Sequence, residues 1–507
     1  MEKSDIQKGL DKFVDELTSQ TYLHTYRMQK RSSLLADGLG TRANSIWKMA
    51  NYIIAFCDDS TENPIENYLK GWSELCKNYK NQFLMIELDK NGNWQMYDSY
   101  NNLMGGNSYI EEYLQKHAKK NLFKKDGITS LKKYRSFITA IKTKPFLLLA
   151  GISGTGKSRI VRELARACWD EDSNEYKAQK PKNFEMIQVK PNWQDSTELI
   201  GYVSRVSGTP IFVIGDFLRF ITQAWENLDV PYFLCLDEMN LAPVEQYFAE
   251  FLSVIESRKS NEDGTITTDP ILKKSSEDWY RVLTAELTGG NEDLRNQFLE
   301  KGITIPQNLI VMGTVNMDET TFSFSRKVLD RAMTIEMNEV DLYAGLNNKY
   351  ERIGKLNGDM LIGTAVEGVD IYADNEEVCN KVLRYLQAVN DVLNGTSFKI
   401  AYRTRNEFLL YVVNNLPYNM DEGGNEFSEN EVIASALDEI TSMKILSRIE
   451  GDDTKVKNSL LERLITTIET QLMALTGEEK KIESISITKL KEMQERLSSS
   501  GYTSFWS

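Results

Sequence analysis

An eight-residue stretch, Gly151-Ile152-Ser153-Gly154-Thr155-Gly156-Lys157-Ser158, constrains this 507-residue chain more than any other feature. It fits G-x-x-x-x-G-K-[ST], a loop whose backbone N–H groups close around an anion. Gly151, Gly154 and Gly156 allow that closure, with Ser153 and Thr155 filling the cradle between them. Lys157 supplies a cation for the outer phosphates, and the Ser158 hydroxyl suits Mg²⁺. The flanks agree with this reading. Pro145-Phe146-Leu147-Leu148-Leu149-Ala150 reads as a buried strand, and Arg159 to Ala167 carries helical periodicity. The loop therefore opens a helix, whose N-terminus favours phosphate. The sequence implies a nucleotide site.

The length allows two to four domains with substantial cores. No run of 18 apolar residues occurs, and the polar, acidic start does not resemble a signal peptide, so the expectation is a soluble, cytoplasmic protein with no membrane partner. Cys57, Cys76, Cys168, Cys235 and Cys379 lack metal or disulfide spacing and read as reduced, buried thiols. With only His24 and His117, a His-based metal centre or triad is disfavoured. The net charge of −14 is unevenly spread. Residues 1–144 hold 22 Lys and Arg against 17 Asp and Glu, a net of +5 that leaves −19 for the remainder. Ten of those basic residues, with one acid, fall in 116–144. Such a stripe is either a solvated helix face and linker or a contact for phosphate backbones.

Four regions follow from patterning. Residues 1–115 read as a smaller α+β N-terminal domain for recognition or partner binding. Asp5–Leu17, Asn44–Phe56 and Ser108–Lys119 have helical character there, and Phe83–Leu88 and Trp94–Tyr97 form a hairpin through an Asn-Gly turn. Residues 116–144 form the basic linker or helix. Residues 145–345 alternate strand and helix, the signature of a parallel sheet flanked by helices. The strand candidates are Phe146–Ala150, Phe184–Val189, Phe233–Leu236 and Asn308–Thr314. The polar stretch 258–305 is long for a connection and reads as an insertion or functional loop. Residues 346–507 are mainly helical, over Asn375–Leu393, Glu407–Val413, Asn458–Leu475 and Ile487–Leu497.

Beyond the loop, chemistry concentrates at strand ends. Pro231 to Leu236 is an apolar strand closing on Asp237-Glu238, where ligands of open α/β sheets sit. Asp237 is placed to hold Mg²⁺ with Ser158, and Glu238 to polarise a water. Asn316 ends another buried strand and can orient water or contact a γ-phosphate; its plainer reading is an Asx-turn. Arg326 and Arg331 follow, as cations able to reach a nucleotide on a neighbouring subunit. Arg403 and Arg405 open a later helix, where either could touch the γ-phosphate from a lid or simply face solvent.

This ordered set resembles the AAA+ ATPases and, within them, the McrB-like branch, the motor subunits of modified-DNA restriction systems. The resemblance rests on 151–158, Asn192-Trp193-Gln194-Asp195, Leu199-Ile200-Gly201-Tyr202, Asp237-Glu238-Met239-Asn240-Leu241-Ala242, Gly313 to Glu319 and Leu329-Asp330-Arg331. It covers roughly 125–420. Val203–Phe212, a hairpin around Gly208, lies where this branch inserts one. The implied fold is an α/β AAA+ P-loop sheet domain with a helical lid. The implied activity is Mg²⁺-dependent hydrolysis of ATP or GTP by a ring homo-oligomer, a hexamer. The implied partners are DNA and a separate McrC-like nuclease subunit, since no nuclease motif is visible. GTP-using members carry Met-Asn-x-x-Asp at the sensor strand, whereas Val315 and Glu319 stand here, so ATP is favoured over GTP. The alternative reading is a MoxR-like protein-remodelling chaperone that does not act on DNA. A nucleotide-stabilised scaffold fits less well, having no need of a water-activating Glu238.

Overall fold

The computed structural model describes five strands within residues 47–105, and then residues 134–317, 322–338, 353–419, 427–477 and 483–506. The chain divides into two compact units, 1–125 and 126–507. In the first, β1 (Trp47–Lys48), β2 (Tyr52–Ala55), β3 (Leu84–Leu88), β4 (Trp94–Tyr97) and β5 (Leu103–Gly105) form one antiparallel sheet in that order. The β3–β4 hairpin is as expected, with Leu88 opposite Trp94. The helix expected over Asn44–Phe56 is instead β1 and β2. Tyr52-Ile53-Ile54 is a β-favouring run, and pairing with β3 across some 30 residues outweighs the local helical period. The helices expected at Asp5–Leu17 and Ser108–Lys119 lie outside the described residues, as do His24, His117, Cys57 and Cys76.

The second unit opens with α1 (Arg135–Thr143) and β6 (Phe146–Gly151). All six residues of β6 are buried. Successive side chains alternate faces: Leu147 and Leu149 enter one core, Phe146 and Leu148 the other. That forces helices onto both faces, as parallel sheets require. The sheet comprises β6, β7 (Phe184–Gln188), β10 (Tyr232–Asp237), β15 (Leu309–Asn316) and β16 (Met333–Glu336). Its order is β16-β6-β15-β10-β7, parallel throughout. The four expected strands are present. β16, only four residues long, carried too short a pattern to be read.

Between these strands run α2 (Lys157–Ala167), the hairpin β8–β9 (Gly201–Ser204 and Ile211–Ile214) and α3 (Asp216–Glu226). Gly208 turns the hairpin at φ +81°. The polar stretch 258–305 is folded. Hairpin β11–β12 (Lys259–Ser260, Ile266–Thr267) leads to β13 (Pro270–Leu272), α4 (Asp278–Thr288), α5 (Glu292–Lys301) and β14 (Ile303–Thr304), with β13 paired to β14. Tyr280, Leu283, Leu294 and Phe298 anchor it in the second core.

The later chain contributes α6 (Glu376–Val392), α7 (Tyr402–Asn415), α8 (Glu429–Lys444), β17 (Glu450–Asp452), α9 (Asn458–Thr476), α10 (Ile485–Ser500) and β18 (Tyr502–Ser504). α8 has no counterpart among the expected helices. It is buried on nearly all sides, so its sequence lacks the apolar–polar contrast of an amphipathic helix. Its readable signal is the Ser428–Glu431 capping box. Of the basic stripe 116–144, Arg135, Lys142 and Lys144 are described, and two turn inward: Arg135 pairs with Glu439 and Lys144 with Glu407. The stripe's other cations lie outside the described residues.

Asn308 joins α3 to the sheet. Its buried amide nitrogen faces the carbonyls of Ala224, Asn227 and Val230 at 3.0, 2.8 and 2.8 Å. Asn308→Ala removes the donor these carbonyls share, leaving those of Ala224 and Asn227 only longer backbone bonds of 3.3 Å, and should cost about 1–3 kcal/mol. A thermal melt of the full chain should show a lower midpoint; an unchanged one would mean the carbonyls find other donors.

Candidate active site

The phosphate loop joins β6 to α2. Gly154 and Gly156 both sit at φ +84° with open space where a side chain would stand, so left-handed backbone is the reason for glycine at each. Gly151 serves differently. A Cβ there would lie 2.6 Å from the Met337 carbonyl, so glycine permits the close approach of the chain leaving β16. Lys157 is buried, its Nζ donating to the carbonyls of Gly151 (2.8 Å) and Ile152 (2.6 Å). Thr155 Oγ1 donates to the Ile152 carbonyl at 3.1 Å. Ser153 is exposed at the loop's crest.

Asp237 ends β10 and receives two hydroxyls on Oδ1, from Ser158 at 2.5 Å and from Thr314 at 2.9 Å. Thr314 Oγ1 in turn accepts the Glu238 amide at 2.9 Å. One carboxylate oxygen thus ties α2, β10 and β15 together. Ser158 and Asp237 converge as hard oxygen donors, the chemistry that suits Mg²⁺, which takes one or two protein ligands and fills its shell with phosphate and water. Glu238 is the one non-glycine at positive φ among the described residues, at +52°. Left-handed backbone at such a residue costs about 1–3 kcal/mol and persists only where neighbours impose it. Here the imposing contacts are Thr314 on its amide and Leu241 N–H on its carbonyl (2.9 Å). Asn316, half-buried, ends β15 opposite Gly151. Loop, acids and Asn316 therefore meet at the carboxyl edge of three adjacent strands.

The arginines are placed elsewhere. Arg331 Nε donates to the Leu252 carbonyl (2.8 Å), one guanidinium nitrogen to Lys327 O (2.6 Å) and the other to Glu256 (2.6 Å). Arg403 pairs with the second oxygen of the same Glu256 carboxylate. One acid thus gathers two candidate phosphate-contacting arginines, read in sequence as separate features. Arg326 donates to the Ser397 carbonyl (2.6 Å) and lies over the Phe398 ring. Arg405 bonds Asn406 and stacks on the exposed ring of Tyr402.

The turn bearing Arg331 is fixed from beneath. Lys444, fully buried at the end of α8, donates to the carbonyls of Leu329 (3.1 Å), Asp330 (3.2 Å) and Ala332 (2.7 Å). It also pairs with Glu407 at 2.9 Å, and Glu407 pairs with Lys144. Burial draws the Lys444 pKa down to about 8, against the opposing pull of Glu407. Burial pushes Glu407 upward, yet the two lysines outweigh it and hold its carboxyl below the usual range. Arg448 adds an ion pair to Asp330 at 3.2 Å.

Thr314, Glu256 and Lys444 were not singled out from sequence. Thr314 had a signal, as a lone hydroxyl in the apolar run Leu309 to Val315. Glu256 and Lys444 had none, since their contacts to the Arg331 turn span 75 and 115 positions.

Residues 146–299 match the AAA domain of the dynein-related subfamily, and residues 363–502 match a domain of unknown function, DUF8727. Over 223 residues the chain is 23% identical to the type IV methyl-directed restriction enzyme EcoKMcrB subunit of Escherichia coli (strain K12). That alignment spans 44% of this chain and 40% of the relative's length. The nucleotide-binding unit is thus an AAA+ domain of a P-loop NTPase, with its helical region following, and the chain resembles McrB-like AAA+ NTPases. No helix among the described residues is long and apolar enough to cross a membrane.

Thr314→Val keeps shape but removes the hydroxyl that spans Asp237 and the Glu238 amide. We expect kcat for nucleotide hydrolysis to fall about ten-fold, with nucleotide affinity changing less. Steady-state turnover beside a binding titration checks this, and an equal loss in both would place Thr314 in binding instead.

Proposed function

We propose that this protein is an oligomeric AAA+ motor that hydrolyses ATP, or alternatively GTP, and activates or drives a separate McrC-like nuclease subunit on DNA in a restriction or anti-phage system. The observation that carries the enzymatic part is the bridge from Ser158 through Asp237 and Thr314 to the Glu238 amide. A scaffold that merely held nucleotide would have no use for a strained glutamate beside the metal-binding pair. The DNA and nuclease parts rest on the likeness to the restriction subunit.

In this reading the amides of Gly151 to Ser158 hold the phosphates, and Lys157 turns from its own loop carbonyls to the outer phosphate oxygens. Ser158 and Asp237 would hold Mg²⁺, which would supply positive charge against the phosphates when bound. Glu238 accepts a proton from the attacking water, oriented with help from Asn316. Arg331 stabilises the transferring phosphoryl group on the neighbouring subunit, so each site is shared. Arg331 and Arg403 share Glu256, which puts both on one surface patch and favours a trans role for Arg403 too. Arg326 and Arg405, held by Ser397 and Asn406, are second candidates. The ring would be a homo-oligomer, a hexamer in the simplest case.

Glu238→Gln should lower kcat about 10²- to 10⁴-fold while nucleotide still binds. Arg331→Ala should be similarly slow alone. Mixed rings of the two variants should regain part of the activity, because some interfaces then pair an intact Glu238 with an intact Arg331. No recovery on mixing, or full turnover by a strict monomer, would remove the shared-site reading.

The assembled ring should bind duplex DNA with an affinity that drops steeply as salt rises. Filter binding across a salt series with nucleotide present measures it. Absence of binding under those conditions would favour the MoxR-like, protein-remodelling alternative.

A further inference from the structure

The phosphate loop is wired to the far end of the chain. The Ile152 amide, inside the loop, donates to Asn338 Oδ1 at 3.0 Å. The other end of that side chain, Nδ2, donates to Glu336 Oε1 at 2.6 Å and lies 4.0 Å from Met317 Sδ. Glu336 closes β16 beside Ala150, and its same oxygen receives Lys489 Nζ of α10 at 2.7 Å. Lys489 is buried and stands over the ring of Phe505, 4.8 Å from its centroid. Phe505 packs edge-on against Trp506, which donates to the Ser447 carbonyl and meets Phe324 at 5.1 Å. Trp506 then lines, with Asn316, Asn240 and Tyr502, a cleft of about 210 Å³ at the end of β15. Segment 485–506 therefore reaches the candidate site twice, at the loop through a polar relay and at Asn316 through an aromatic wall.

The contact at the loop is not incidental to its geometry. Met337 and Asn338 press so closely on Gly151 that only glycine fits there. Asn338 is itself exposed, so the fold does not need it as core; its two hydrogen bonds are what it contributes.

We propose that Asn338 is a positioning residue for the phosphate loop, and that through Glu336 and Lys489 it couples nucleotide binding to the seating of segment 485–506. The proposal rests on the nucleotide-site reading above. A carboxamide suits the post because one end accepts from a backbone amide while the other donates to a carboxylate. Coupling of this kind is reciprocal: a nucleotide that favours one loop geometry must favour the segment position attached to it.

The full chain, titrated with fluorescent ATP and GTP analogues in Mg²⁺, gives affinity, and hydrogen–deuterium exchange over 485–506 gives seating. In the wild type, bound nucleotide should slow exchange in that segment. Asn338→Ala should weaken binding about five- to ten-fold, abolish the nucleotide-dependent protection and leave the nucleotide-free melting midpoint unmoved. Lys489→Met, which spares the Asn338–Ile152 bond, should also lose the protection change but weaken binding by less. Wild-type affinity in Asn338→Ala, or wild-type exchange over 485–506 that ignores nucleotide, would overturn the proposal. A wild type that binds neither analogue would overturn the site reading first, before any variant is compared, and the coupling with it.

Discussion

The three elements that carry the candidate site are tied together at one carboxylate oxygen. Asp237 Oδ1 accepts two hydroxyls, one from the first turn of α2 and one from β15. Those elements are distant in sequence and become neighbours only because the sheet is laid down in the order β16-β6-β15-β10-β7. Partly buried hydrogen bonds of this type are worth little net, yet costly to break, since the stranded partner keeps part of its desolvation penalty. The same short network that aligns the phosphate loop with the acid strand therefore also resists its own misassembly. Thr314 extends it to the Glu238 amide and so helps to hold that residue's left-handed backbone.

A second layer of control lies beneath the Arg331 turn. Three carbonyls of that turn, those of Leu329, Asp330 and Ala332, accept from one buried ammonium, that of Lys444 on α8. Glu407 opposes its charge and is shared with a second cation, Lys144, so that α7, α8 and the entry to β6 meet at one carboxylate. The region matched to the domain of unknown function, 363–502, contains both Glu407 and Lys444. It is therefore a structural support for the arginine turn as well as a helical appendage.

How much of this was legible in the sequence depended on whether the signal was local. The phosphate loop, its flanking strand and helix, the Asp237-Glu238 strand end and the hairpin around Gly208 are local patterns, and each was read at its observed place. The Asn44–Phe56 segment was misread because its strand character is settled by partners at 84–88. α8 escaped because burial on every side erases periodicity. At the site, Ser158, Asp237 and Asn316 converge as their motifs imply, whereas Glu256, Asn338 and Lys444 acquire meaning only from residues that topology brings to them. Ion pairs and relays that span a hundred positions leave no trace in a pattern read along the chain.

The left-handed backbone of Glu238 has a bearing on how such a protein can be altered. Glycine, or asparagine, would occupy that conformation more comfortably, so a position where the chain stands to gain stability is also the one that holds the carboxylate proposed as its general base. Any screen that rewards heat resistance without asking for turnover would drift toward replacing it. The robust products of such a screen would retain the fold and the phosphate loop, and would lack the carboxylate on which the proposed hydrolysis depends.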